Sequence, residues 1–255
     1  MRRYVPGMFR AEAIQAAGQN RPSALAHWAA SDSVVVGCIV IIATAGRLAS
    51  AILQGDRVEP LPGVFDQISY DLLARQVIAG HGFVFPVDWW PATRAGEPTA
   101  HWSYLYTLFL SAAYVVFGVH PLVPRLVQAV VAGVLQPWLT WRIGSRIFGR
   151  TAGLIAAALS AVYAYFVYYA GALMTETFCI LAILWALDTA TAMAHADAQE
   201  PGAQPPRSAR GSGSLRSWLF LGLAFAVAGL LRQVALMMLP ITLAWLFWAP
   251  RRRRA

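Results

Sequence analysis

Ser33-Val-Val-Val-Gly-Cys-Ile-Val-Ile-Ile-Ala-Thr-Ala-Gly-Arg47-Leu-Ala-Ser-Ala-Ile-Leu53 runs for 21 residues with one charge, Arg47. A helix rising about 1.5 Å per residue needs about 20 such residues to cross about 30 Å of hydrocarbon, so this stretch predicts a membrane span. The composition agrees: 58% of the 255 residues are hydrophobic, 13% are charged, and the mean hydropathy is +0.53. A soluble domain carries about a quarter charged residues. The run is too long for a signal peptide and lacks a small-residue cleavage site, so it is expected to remain as an anchor. Further apolar runs at 122–141, 153–173, 178–193, 218–231 and 235–249 raise the expected number of spans to six.

Residues 104–119 form a seventh apolar run, and the placement of positive charge decides how to read it. All 20 basic residues are arginine, and the net charge is +8. They gather at the ends of the apolar runs, which is a topology signal rather than a nucleic-acid footprint. At about 1.5 Å per residue the run reaches only about 24 Å, short of a perpendicular crossing. If it lies on the membrane surface, 14 of the 20 arginines fall in segments facing the cytoplasm. The expectation is therefore an all-α integral membrane protein with about six transmembrane helices and both termini inside. Residues 1–32 form a cytoplasmic arm and 33–250 the membrane module, followed by a basic tail at 251–255. Within the module, 54–120 is a long external loop containing juxtamembrane helices, and 195–216, rich in Pro, Gly and Ser, is a cytoplasmic linker. Cys38 and Cys179 sit inside apolar runs and read as packing residues.

The first helical stretch of the external loop opens on Asp66. Helical spacing over 66–78 sets Ile68, Leu72, Val77 and Ile78 on one side and Gln67, Asp71 and Arg75 on the other, with Gly80 and Gly82 as stops. Val87-Asp88-Trp89-Trp90-Pro91 then places indoles at interfacial depth.

With those elements in place, the order of motifs resembles the membrane glycosyltransferases of the GT-C fold. Asp66-x-x-x-Tyr70-x-x-x-Ala74 follows the first span, and Gly80-His-Gly-Phe83 closes the helix. Pro98-Thr-Ala-His101-Trp-Ser-Tyr-Leu-Tyr106 precedes an apolar helix, with Phe117-Gly-Val119 and Arg125 after it. Arg146-Ile-Phe-Gly-Arg-Thr-Ala-Gly153, Met174-Thr-Glu176-Thr and Gly229-Leu-Leu-Arg232 complete the series. The pattern is similar to that of lipid A aminoarabinose transferases, bacterial core-sugar transferases and, more distantly, protein O-mannosyltransferases. It covers about residues 33–250.

The resemblance implies inverting transfer of a sugar from a polyprenyl-phosphate donor to a lipid, glycan or protein acceptor. It implies a site on the outer side of a bacterial cytoplasmic membrane, with no nucleic-acid partner. Asp66 matches the catalytic carboxylate of the first external loop, where a base takes the acceptor's proton. Glu176 matches a second acidic position and would orient Arg232 or the acceptor. Arg232 matches a basic residue contacting the lipid phosphate, where a cation offsets developing charge. Tyr70, His101, Arg125 and Arg47 complete the candidate substrate-binding set.

Each residue also has a plainer reading. Asp66 and Glu176 would complement helix N-termini, and His101 would be structural. Arg47 would snorkel to outer headgroups. His101 departs from the family pattern, because Trp102 and Ser103 stand where relatives carry prolines. Asp88, His81 and Glu97 lack a recognised ligand spacing, so no cofactor is expected, with a divalent cation as the alternative.

Relatives continue with further spans beyond the matched region. A module completed by a second chain, a truncated member or an inactive remnant are thus further expectations. From another class, a lipid-carrier binding subunit or small transporter competes. The acidic groups collect at one face rather than at mid-membrane, which favours chemistry on a lipid-borne substrate.

Overall fold

The computed structural model describes residues 21–60, 66–91, 93–196 and 214–252. The helices are α1 (Arg21–Gln54), α2 (Asp66–Ile78), α3 (Tyr104–Phe117), α4 (Leu122–Phe148), α5 (Arg150–Val162), α6 (Ala164–Gly171), α7 (Glu176–Ala196), α8 (Leu215–Leu231) and α9 (Met238–Arg252). A 3-10 turn, Gln233–Met237, joins the last two. Among the described residues no strand forms; two isolated bridges, Val84 with Pro98 and Trp89 with Thr93, fold the loop between α2 and α3. The protein is an all-α membrane protein.

Asp32–Gln54, Leu122–Phe148 and Glu176–His195 are each long and apolar enough to cross a membrane. They correspond to the first, second and fourth expected spans. The third is a pair, α5 and α6, bent by 49°. The fifth and sixth fall in the shorter apolar helices Leu215–Leu231 and Gln233–Trp248, and Tyr104–Phe117 is likewise short. The expectations for the N-terminal arm up to residue 20, for linker residues 197–213 and for tail residues 253–255 lie outside the described residues.

Helix α4 is the axis of the molecule and packs against α1, α5 and α7. Lipid tails are as apolar as leucine, so such contacts depend on close van der Waals approach at small residues. Gly133 supplies it, because a Cβ built there would stand 2.5 Å from the Thr44 Cα on α1. Gly149, at φ 91°, takes the left-handed conformation that turns α4 into α5.

The bent pair accounts for the burial of Arg47. Tyr163 is extended (φ −63°, ψ 115°), which ends α5 and leaves the carbonyls of its last turn without helical partners. The Arg47 guanidinium donates to Ser160 O at 3.1 Å and Ala161 O at 3.2 Å, and also to Gln136 Oε1 at 3.0 Å and Ala43 O at 3.1 Å. The residue is 0% exposed. A buried cation is tolerated here because backbone and amide oxygens surround the two terminal nitrogens of its guanidinium. Arg47 neither snorkels nor faces the cavity described below.

Helix α2 spans the residues its spacing predicts, but the face it buries is mixed: Gln67, Ser69 and Asp71 point inward together with Tyr70, Leu73 and Ala74. Each buried polar group has a partner. The Asp71 carboxylate accepts from Tyr114 OH at 2.5 Å and Arg75 Nε at 2.8 Å. Trp89 Nε1 donates to Ser69 Oγ at 2.8 Å. Arg125, 1% exposed, donates to the carbonyls of Gln54, Gly55 and Arg57 and to Gln67 Oε1. It thereby clamps the segment after α1 to α4. Asp56 in that segment accepts from Leu122 N at 2.9 Å and so caps α4, whose own N-cap, Pro121, offers no side-chain bond.

Candidate active site

One cavity of about 440 Å³ is lined by Asp66, Tyr70, His101, Arg232 and neighbours from 100–104 and 229–234. Its walls come from three separated stretches: the first turns of α2, the segment entering α3, and the α8 end with the 3-10 turn. Asp66 is half-buried at the first position of α2, at the positive end of that helix's dipole. One turn on, Tyr70 is held by edge-to-face contacts with Trp102 (5.4 Å) and Tyr106 (5.0 Å). Burial, with a smaller contribution from the nearby Asp66 charge, pushes the Tyr70 hydroxyl up to about 12. It is therefore a neutral hydrogen-bonding group at ordinary pH and is no base.

Arg232 ends α8 in an extended conformation (φ −148°, ψ 116°), which carries its side chain out of the helix. Nε donates to Thr175 Oγ1 at 2.9 Å and Nη2 to Glu176 Oε1 at 2.6 Å. The two sides differ in exposure: the Arg232 side chain is 40% exposed and that of Glu176 12%. Glu176 opens α7, which contributes the positive end of a helix dipole to the same pair. Its second oxygen, Oε2, is buried without a partner, an acceptor left over for a hydroxyl or water. Ser103 joins the walls. It caps α3 through Tyr106 N at 3.2 Å and donates to Leu230 O at 2.8 Å, two residues before Arg232.

The arrangement supplies a carboxylate, a neutral hydroxyl and a cation held by a second carboxylate around one space. That set can deprotonate a hydroxyl and stabilise a developing phosphate charge at the same time. His101 is exposed on the cavity wall, edge-on to Trp102 at 5.2 Å. Among the other sequence candidates, Arg47 and Arg125 are not brought to the cavity. The sequence reading gives Thr175 and Ser103 no role in the site, because a hydroxyl beside an apolar run carries no signal of its own. His81 pairs with Gln76 Oε1 at 2.8 Å and Asp88 accepts from Ala95 N at 2.9 Å, so both stabilise loop geometry. Among the described residues no group of three His, Cys, Asp or Glu side chains could hold a metal ion.

A second cavity of about 450 Å³ adjoins the first, and Leu231 lines both. Its walls are almost wholly apolar and include Phe109, Val131, Phe178 and Val227, with Trp138 and Trp185 farther along α4 and α7.

A family model described as dolichyl-phosphate-mannose-protein mannosyltransferase matches residues 102–201. The match supports a membrane glycosyltransferase of the GT-C kind. The matched segment contains Glu176 but neither Asp66 nor Arg232. Comparison with curated proteins and with solved structures returns no match.

Proposed function

We propose that the protein is an inverting glycosyltransferase that moves a sugar from a polyprenyl-phosphate donor to an acceptor hydroxyl on the non-cytoplasmic side of the membrane. The observation that carries the reading is the convergence of Asp66, Tyr70, His101 and Arg232 on one cavity, with Glu176 bonded to Arg232. The family match supports the general activity. The adjoining apolar cavity supports a lipid-borne donor, since a chain entering at Leu231 would leave its phosphate beside Arg232.

In the proposed step the acceptor oxygen attacks the anomeric carbon from the face opposite the phosphate. The new C–O bond forms as the anomeric C–O bond to phosphate breaks. Asp66 takes the acceptor proton, and the electron pair of the broken bond stays on the phosphate. Arg232, on the cavity wall, neutralises that charge. Glu176 and Thr175 fix the guanidinium, and Tyr70 hydrogen-bonds within the same space. The arginine distribution supports the outward orientation.

The test is lipid mass spectrometry of cells with and without the gene. The reading predicts that a sugar-bearing polyprenyl phosphate accumulates in its absence, which would also name the sugar. An unchanged carrier pool would reject donor use and favour a protein that binds the carrier without consuming it.

A further inference from the structure

Between the Asp66 helix and the Glu176 turn lies one buried amide. Gln128 on α4 is 0% exposed and lines neither cavity. Three carbonyl oxygens surround its nitrogen: Tyr169 at 3.1 Å, Ala170 at 3.1 Å and Ala172 at 2.8 Å. Three acceptors on that side leave Oε1 to take the Tyr106 hydroxyl, at 3.0 Å.

The carbonyl side matters because of where those residues sit. Residues 172–175 are non-helical, and Ala172, Leu173, Met174 and Thr175 are buried. Irregular backbone inside a membrane protein must find donors within the protein, and Gln128 supplies them at the entrance to this turn. The turn delivers Thr175 and Glu176, the two partners of Arg232.

The hydroxyl side reaches the other half of the cavity. The Tyr106 ring, also 0% exposed, supports Tyr70 at 5.0 Å, and Tyr70 lies one turn from Asp66. Its backbone N–H is the one that Ser103 caps.

We propose that Gln128 is a positioning residue that couples the two halves of the cavity, holding Tyr70 and Asp66 in register with Thr175, Glu176 and Arg232. Gln128 touches no reacting group. It sets the spacing between those that do, and a displacement of about 1 Å at such groups costs up to about 100-fold in rate. The inference rests on the reading of Arg232 as the phosphate contact.

The experiment uses the full chain in lipid nanodiscs, wild type against Gln128→Met and Tyr106→Phe. Affinity for undecaprenyl phosphate is titrated, and amide hydrogen exchange is followed at residues 66–74 and 172–179. Gln128→Met should weaken undecaprenyl phosphate binding about 10-fold in the folded protein and raise exchange in both segments. Tyr106→Phe keeps the ring and the carbonyl bonds and is the variant to rely on if Gln128→Met does not fold. It should raise exchange at 172–179, although its hydroxyl makes no bond to that turn.

A merely structural role predicts a lower Tm with wild-type affinity in the folded fraction and exchange changes confined to the substituted residue's own contacts. That result overturns the coupling. A wild-type protein that ignores undecaprenyl phosphate overturns the donor reading instead, and the exchange comparison then decides the coupling by itself.

Discussion

Replacing Arg232 by Ala removes the guanidinium from the cavity and leaves Glu176, 12% exposed, without its partner at 2.6 Å. A hydrogen bond to a charged group contributes about 1.5–3 kcal/mol, and about 1.4 kcal/mol is a factor of ten in affinity. The unscreened expectation is thus a rise in Kd for undecaprenyl phosphate of about 10–150-fold. Arg232 is 40% exposed, and solvent weakens pairs at such sites, so the low end, about 10–30-fold, is the predicted outcome.

The assay is equilibrium binding in nanodiscs at low and at about 0.15 M ionic strength, where charges more than about 8 Å apart are largely screened. Arg232→Lys should recover part of the loss, because an ammonium keeps the charge but not the fork that engages Thr175 and Glu176 together. Glu176→Gln should leave phosphate affinity within about 3-fold of wild type, because it removes a competitor for the guanidinium as well as its anchor. An Arg232→Ala protein that binds within about 2-fold of wild type would refute the assignment of the phosphate to this residue.

Three further outcomes follow from the same contacts. Arg47→Met strips donors from Ser160 O, Ala161 O and Gln136 Oε1; each buried group left unpaired costs about 1–3 kcal/mol, and relief of a buried cation offsets part of that. A net loss of about 2–4 kcal/mol, read as a lower Tm in detergent, is expected, and an unchanged Tm would contradict the role of Arg47 at the α5–α6 break. Tyr70→Phe should slow transfer without changing the shape of its pH profile below about pH 10, since burial pushes that hydroxyl up to about 12 and it stays protonated throughout. For Asp56, desolvation is the largest single effect and raises the carboxyl, but the hydrogen bonds from His120 and Leu122 N and the charges of His120 and Arg125 together outweigh it and hold the carboxyl below its usual range. Its contribution is therefore present above the unfolded value and lost as pH falls through the lowered folded one. Because the pair is exposed, Asp56→Asn should cost under about 1 kcal/mol near neutrality and nothing in strong acid, as thermal unfolding across pH would reveal.

Much of this organisation is legible in the chain. Hydropathy alone marks the runs that become α1, α4 and α7, because crossing hydrocarbon imposes length and apolarity together. The bounds of α2 follow from its period and from Gly80 and Gly82, both at positive φ. What hydropathy does not carry is the direction of a polar side chain. Arg47 looks like a headgroup anchor in sequence, yet its acceptors exist only because α5 breaks at Tyr163, a tertiary event with no Pro or Gly to announce it. Arg125 fits a family motif in order, but it spends its donors on loop carbonyls. Gln128 and Gln136 were the available clue: two uncharged amides buried in one apolar helix are costly unless paired, and Gln128 meets the carbonyls at 169–172 while Gln136 meets Arg47. Asp71 and Gln67 of α2 are inward for a related reason, since they meet Tyr114 and Arg125 from elements distant in sequence.

The claim on which the account turns is that Asp66 takes the acceptor proton while Arg232 holds the phosphate. Its most direct test is complementation of a gene deletion with Asp66→Asn, read by lipid mass spectrometry alongside undecaprenyl phosphate binding by the purified variant. The account predicts wild-type binding with the sugar-bearing carrier still accumulated, because an amide accepts no proton and general-base removal costs about 100- to 10,000-fold in rate. An Asp66→Asn protein that clears the carrier as fast as wild type would contradict it.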